Sequence, residues 1–186
     1  MKNPLPSFFL LLMLSACGLK TSTPIRAAYL VSPPGQIPQA ELARHPEIFV
    51  TSSFAAFQHA ARQRIGLWVD KDALTLADSS WFDQLPQSTY PIVVIGYGDT
   101  LHAFRDGLPI CCFQGPATTY PGYDDPGFSV IMRTSGDMDT PTIMLQGFKQ
   151  IPHVEDILRI NNGLLDGKIR PTPTDLPLHL PTPTMP

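Results

Sequence analysis

Short apolar runs alternate with amphipathic segments through the middle of the chain. Three runs rich in β-branched residues predict strands: residues 48–51, 65–69 and 92–95. The first run is followed by Phe54, Phe57 and Ala61 at helical spacing, with Ser52 or Ser53 placed to cap the helix. The other two runs also precede short helical segments, which are expected to be capped by Ser79 or Ser80 and by Asp99 or Thr100. This alternation predicts parallel strands joined by crossover helices.

The second half of the domain is less regular. Three further strands are expected: residues 110–113, 128–132 and, at an edge, 142–145. Residues 115–127 are rich in glycine, proline and tyrosine and predict a loop. A final helix begins at Pro152, carries Glu155 and Asp156 in its first turn and ends at Gly167. The fold class is therefore predicted as α/β, a single small domain with a mainly parallel sheet of four to six strands and flanking helices.

Proline divides the chain into segments. Of 21 prolines, seven lie in residues 1–46 and six in residues 171–186, so the excess is confined to the two flanks. Such segments bury little apolar surface and are typical of tethers and disordered tails. We therefore expect a proline-containing tether over residues 17–46, an α/β domain over 47–169 and a Pro/Thr-rich disordered tail over 170–186. Within the tether, the apolar residues 28–31 are expected to dock as an edge strand.

Charge and cysteine content narrow the class of partner. The formal net charge is −3, and no cluster of Lys and Arg stands in the sequence. Nucleic acid is therefore not an expected partner, and no polybasic membrane-binding patch is expected, so any membrane attachment should come from a lipid alone. Besides Cys17, the only cysteines are the neighbours Cys111 and Cys112. A disulfide between neighbours is strained, so two thiols are expected, with a redox switch or an intermolecular bridge as alternatives.

The amino terminus indicates where the protein is located. Lys2 precedes an apolar core of about seven residues, which is too short to span a bilayer and has the length of a signal-peptide core. The core ends in Leu14-Ser15-Ala16-Cys17, which resembles the lipobox of bacterial lipoproteins. The resemblance implies that residues 1–16 are a signal peptide, that Cys17 carries palmitate or related acyl chains, and that these chains hold the protein on the extracytoplasmic side of a membrane in the cell envelope. The alternative is a conventional secretory leader in which Cys17 is incidental.

Polar residues follow the carboxyl ends of the first three predicted strands. In open α/β sheets ligands bind at that edge, so these residues are candidates to bind a small polar ligand or a cation. The candidate ligand-loop residues are Ser52, Ser53, Asp70, Asp72, Tyr97, Gly98 and Asp99. The alternative is that these side chains only cap helices and turns.

Other motifs give weaker indications of chemistry. The turn at Gly96–Asp99 follows a buried strand, as phosphate-binding turns do, but Leu101 replaces the third small residue and Asp99 would repel a phosphate. The acidic pairs at 124–125 and at 137 and 139 lack the remainder of a calcium loop. The histidines have no zinc spacing, and no nucleophile elbow or Walker motif is present. No catalytic residue, metal site or cofactor is therefore predicted.

These observations lead to an expected function in broad terms only. The leading interpretation is a lipid-anchored cell-envelope protein that acts as a binding or interaction module. The alternative is a small, hydrolase-like envelope enzyme that uses the polar loops at the carboxyl ends of the strands. An enzyme should have a deep pocket with at least one desolvated acid, base or nucleophile, whereas an interaction module should have shallow polar loops or an exposed apolar patch.

Overall fold

Six strands form one mixed sheet, in a computed structural model that describes residues 23–85, 90–110, 126–134 and 142–169. The strands are β1 (Ala27–Leu30), β2 (Ile48–Thr51), β3 (Gly66–Asp70), β4 (Ile92–Ile95), β5 (Phe128–Thr134) and β6 (Thr142–Phe148). Their order across the sheet is β2-β1-β3-β4-β5-β6. The four-residue runs read as strands at 48–51 and 92–95 are confirmed with the same bounds.

The sheet has a parallel half and an antiparallel half. Strands β2, β1, β3 and β4 are parallel, whereas β5 runs antiparallel to β4 and β6 antiparallel to β5. The predicted α/β class and strand number are confirmed, but the sheet is mixed. Only seven residues, 135–141, separate β5 from β6. A parallel crossover needs a dozen or more residues, so this connection requires an antiparallel pair.

The start of the folded domain differs from the prediction. Strand β1 lies inside the sheet between β2 and β3, and all four of its residues are fully buried. The tether assigned to residues 17–46 is therefore wrong for this segment, and so is the expectation of an edge strand. Prolines 33, 34 and 38 fall in the connection after β1, where the backbone needs no strand hydrogen bonds. Their number made a folded segment look like part of a tether.

Helices cover both faces of the sheet. One face carries α1 (Gln39–Leu42) and α4 (Val154–Leu165). The opposite face carries α2 (Phe54–Ala60), a 3₁₀ helix (Lys71–Leu76), α3 (Ser79–Asp83) and a π-helix (His102–Gly107). The connections from β1 to β2 and from β2 to β3 run in opposite directions across the sheet. Because they lie on opposite faces, they have the same handedness.

The helix ends follow the sequence in most places. Ser53 caps α2, as predicted, through its hydroxyl and the N–H of Ala56. Helix α3 is capped by Asp78, which accepts from the N–H of Ser80, so the expected serine cap is wrong by one or two residues. Helix α4 is confirmed, and Gly167 takes a positive φ of 67° after it.

Several predictions lie outside the described residues. They concern the leader with Cys17, the cysteine pair, most of the loop 115–127, both acidic pairs and the tail. Of the strand expected at 110–113, only Ile110 is described, and it follows the π-helix without joining the sheet. None of the helices in the described ranges combines the length and the apolar character that crossing a bilayer requires.

Candidate functional site

The strand order places a topological switch point between β1 and β3. From β1 the chain moves outward to β2 and then returns across β1 to β3. In doubly wound sheets of this order, the crevice at the carboxyl ends of the two central strands is the usual position of a ligand. Asp70 ends β3 at this point, and residues 32–37 leave β1 beside it. Asp70, one of the candidate ligand-loop residues, therefore lies at the switch point.

The Asp70 carboxylate is fully buried, and both of its oxygens accept hydrogen bonds from other groups of the protein. One oxygen accepts a hydrogen bond from the Tyr29 hydroxyl. The same oxygen accepts a second hydrogen bond from the N–H of Gln36 at 2.7 Å. The other oxygen accepts from the N–H of Asp72 at 2.9 Å and so caps the 3₁₀ helix. These donors supply the stabilisation that a buried carboxylate needs. Asp70 thus fastens the loop after β1 to the end of β3.

The Tyr29 hydroxyl is held in its protonated form. Burial raises the pKa of the Tyr29 hydroxyl far above that of an exposed tyrosine, and the adjacent Asp70 charge raises it further. Neither side chain has exposed surface. At the surface, the side-chain amide of Gln36 donates a hydrogen bond to the Asp72 carboxylate at 2.9 Å. A buried titratable pair at a switch point is typical of an active site, but here its hydrogen bonds are used within the protein.

The second candidate loop, Tyr97–Asp99, is closed by backbone packing. A Cβ atom on Gly127 would lie 2.1 Å from the carbonyl oxygen of Phe148, and one on Gly147 would lie 2.3 Å from the carbonyl oxygen of Gly98. The turn therefore rests directly on the ends of β5 and β6, and no phosphate-sized space separates them.

The residues of this turn also make hydrogen bonds and ring contacts with neighbouring residues of the protein. Asp99 accepts from the N–H of His102 at 2.9 Å, which confirms the predicted cap. The ring of Tyr97 lies against that of His102, with centroids 4.4 Å apart. The hydroxyl of Ser129, at the start of β5, donates to the carbonyl oxygen of Tyr97 at 2.8 Å. The turn is thus fixed to its neighbours on both sides.

The third candidate pair, Ser52 and Ser53, lies at the end of β2. Ser53 caps α2, and its own N–H donates to the hydroxyl of Thr51 at 3.0 Å. Strand β1 separates this pair from Asp70, so the two groups are about 10 Å apart at the spacing of neighbouring strands. The structure places the predicted loop residues on one edge of the sheet, where Ser53, Asp70 and Asp99 act as caps, and it does not gather them around one cavity.

A different surface, which sequence reasoning missed, is open. Strand β2 is an edge strand, and its central residues Phe49 and Val50 are 37% and 40% exposed. We call this strand and its two flanking grooves the β2 edge. On the α2 face, a groove of about 310 Å³ is lined by Phe49, Ile25, Ala56, Ala60 and Ile65. On the α1 face, a groove of about 450 Å³ is lined by Val50, Val31, Ile37, Pro38 and Leu42.

The backbone of β2 is open as well. The carbonyl oxygens of Glu47 and Thr51 accept hydrogen bonds from backbone N–H groups at the start of β1 and just past its end. The backbone N–H and C=O groups of residues 47, 49 and 51 therefore point inward, toward β1. Because this direction alternates along a strand, the N–H and C=O of Val50 point away from the sheet. No lysine or proline lies within Ile48–Thr51, and these are the residues that commonly protect edge strands.

Metal binding finds no support in the part of the chain that the structure describes. No group of three or more His, Cys, Asp or Glu side chains there is arranged to hold a metal ion. Comparison with protein-family models, with curated proteins and with solved structures finds no match to this chain.

Proposed function

We propose that this protein is a lipid-anchored cell-envelope binding module that recognises an extended peptide segment by adding it as a strand to β2. The observation that carries the proposal is the β2 edge, where an open backbone lies between two apolar grooves. Strand addition uses this combination: backbone hydrogen bonds supply affinity, and pockets for alternate side chains supply specificity.

The geometry defines the peptide. Successive side chains of an added strand point to opposite faces of the sheet. Residues i and i+2 would enter the groove beside Phe49, and residue i+1 would enter the groove beside Val50. Both grooves are mainly apolar, so the segment should carry apolar side chains at three successive positions. The N–H and C=O of Val50 would form its central pair of hydrogen bonds.

A second copy of the chain fits the same edge less well. Strand β2 has four residues and spans about 13 Å. A stable dimer buries about 800 Å² on each partner, which a four-residue strand pair supplies only with additional contacts. A peptide needs only the strand and the grooves, so it is the occupant that the proposal names.

The envelope location rests on the leader. Leu14-Ser15-Ala16-Cys17 follows a short apolar core, as in bacterial lipoproteins. Metabolic labelling with a palmitate analogue tests this part: the wild-type protein should be labelled, and the Cys17→Ser variant should not. Labelling that persists in Cys17→Ser would contradict the assignment.

The strand-addition part is tested with a displayed library of random eight-residue peptides. Peptides selected on the full chain should bind the Val50→Pro variant at least tenfold more weakly, because that change removes an outward N–H. Proline is tolerated where the N–H of an edge strand faces solvent, so the fold should survive. Asp72→Ala, at the carboxyl edge, is the matched control and should bind normally. Selected peptides that bind Val50→Pro normally and fail on Asp72→Ala would overturn the proposal.

A further inference from the structure

Basic residues that are far apart in the sequence come together at one edge of the sheet. Arg44 immediately precedes the turn into β2, Arg62 and Arg64 precede β3, and Lys168 follows α4. All four side chains are exposed. Helix α4 ends beside the start of β1, where Arg26 contacts Asn162 and Asp166. These cations therefore share the amino edge, at which the four parallel strands begin.

Few acids neutralise this edge. Glu47 pairs with His45 at 3.1 Å, and Asp166 contacts Arg26 at 2.6 Å and Lys168 at 3.7 Å. No carboxylate among the described residues forms an ion pair with Arg44, Arg62 or Arg64. The amino edge is therefore positively charged on a chain whose formal net charge is −3.

The opposite, carboxyl edge carries the acids. Asp70, Asp72 and Asp99 lie there, as does Glu41, whose carboxylate accepts from the N–H of Val154 at 2.7 Å. The first turn of α4 adds Glu155 and Asp156. Lys71 and Lys149 also lie at this edge, but the six carboxylates outnumber them, so an anionic surface would attract the amino edge and repel the carboxyl edge.

The length of chain between Cys17 and the sheet also selects the amino edge. Eight residues lead from Cys17 to Ile25, which enters the domain just before β1. Fully extended, eight residues span at most about 28 Å. If Cys17 is acylated, the bilayer surface lies within that distance of the amino edge.

We infer that the amino edge of the sheet, with Arg44, Arg62, Arg64 and Lys168, rests on the anionic lipid headgroups of the membrane that holds the acyl chains. The inference rests on the lipid anchor of the proposed function. Headgroup attraction decays within about 8 Å at physiological salt, so the short connection and the cations act together.

Native lysines provide the test. The lipidated protein is placed in vesicles of phosphatidylglycerol and phosphatidylcholine and treated with an amine-acetylating reagent, and each lysine is followed by mass spectrometry. Lys168 should react several-fold more slowly in vesicles than in detergent. Lys71 and Lys149, which follow β3 and β6 at the carboxyl edge, should react equally in both.

A charge variant separates contact from simple proximity. The combined change Arg44→Gln, Arg62→Gln and Arg64→Gln should restore the reactivity of Lys168, since each cation near an anionic surface strengthens contact about fivefold. Equal protection of Lys71 and Lys168, or protection unaffected by the triple change, would overturn the inference while leaving the anchor intact. Absence of acylation at Cys17 would overturn the anchor and the inference together.

Discussion

Two regions at the margin of the sheet lie on either side of strand β1 and differ in how much surface they leave open for binding. At the switch point between β1 and β3, the Asp70 carboxylate receives three hydrogen bonds and has no exposed surface. At the β2 edge, Phe49 and Val50 are more than a third exposed and flanked by apolar grooves. The region with the more reactive residue types is closed, and the region with ordinary aliphatic and aromatic residues is open.

The difference shows what polar residues in loops do in this fold. A carboxylate at the end of a strand is as suitable for fastening a neighbouring loop as for holding a ligand. Asp70 fastens residues 32–37, and Asp99 fastens the start of the π-helix. Among the described residues, the β2 edge is a surface where apolar side chains lack a covering element, so it is left available for binding.

The largest expected effect tests the fastening role of Asp70. Replacing it with alanine leaves the buried Tyr29 hydroxyl and the partly buried N–H groups of Gln36 and Asp72 without their acceptor. The free energy of unfolding should fall by about 3–5 kcal/mol, as measured by urea denaturation. The exposed neighbour provides the control, since Asp72→Ala should cost less than about 1 kcal/mol. A stable Asp70→Ala protein that loses only a bound ligand would reverse the comparison.

An intermediate effect is expected at Tyr29 and depends on pH. Tyr29→Phe removes one donor from Asp70 and should cost about 1–2 kcal/mol at neutral pH. In the wild type the raised pKa of Tyr29 keeps the folded state protonated, whereas the unfolded state ionises near pH 10. Wild-type stability should therefore decline above pH 10, and Tyr29→Phe should lower that slope by up to about 1.4 kcal/mol per pH unit. Identical alkaline slopes for the two proteins would count against a buried, protonated Tyr29.

The smallest stability effect is expected at the open edge. Val50→Pro should change the free energy of unfolding by less than about 1 kcal/mol, because the lost N–H faces solvent. Phe49→Pro should cost markedly more, since its N–H faces β1. Thermal denaturation of both variants checks this. Equal losses would mean that the inward and outward positions of β2 have been assigned incorrectly.

Much of the fold follows from local sequence patterns. The β-branched run 92–95, the cap at Ser53 and the helix ending before Gly167 are all defined by neighbouring residues, and all are confirmed. Strand β1 was misjudged because prolines 33, 34 and 38 follow it closely, although they serve only the loop. The antiparallel half was missed in two ways: the seven-residue connection from β5 to β6 requires an antiparallel pair, whereas the 32 residues between β4 and β5 allow either direction.

The site was harder to predict for a physical reason. Sequence identifies residue types that can bind, and Asp70 is one of them, but it does not tell whether their hydrogen bonds are already used within the protein. The β2 edge was missed because Phe49 and Val50 look like core residues until the strand order leaves them uncovered. The amino-edge cations were missed because they come from separate parts of the chain.

Amide hydrogen exchange at single residues distinguishes peptide binding at the β2 edge from ligand binding at the switch point. In the free protein, the N–H of Val50 should exchange rapidly, while those of Gln36 and Asp72, already bonded to Asp70, should exchange slowly. Addition of a library-selected peptide should slow exchange at Val50 and leave Asp72 unchanged. Slowing at Gln36 and Asp72 with no change at Val50 would contradict the account and return the binding site to the switch point.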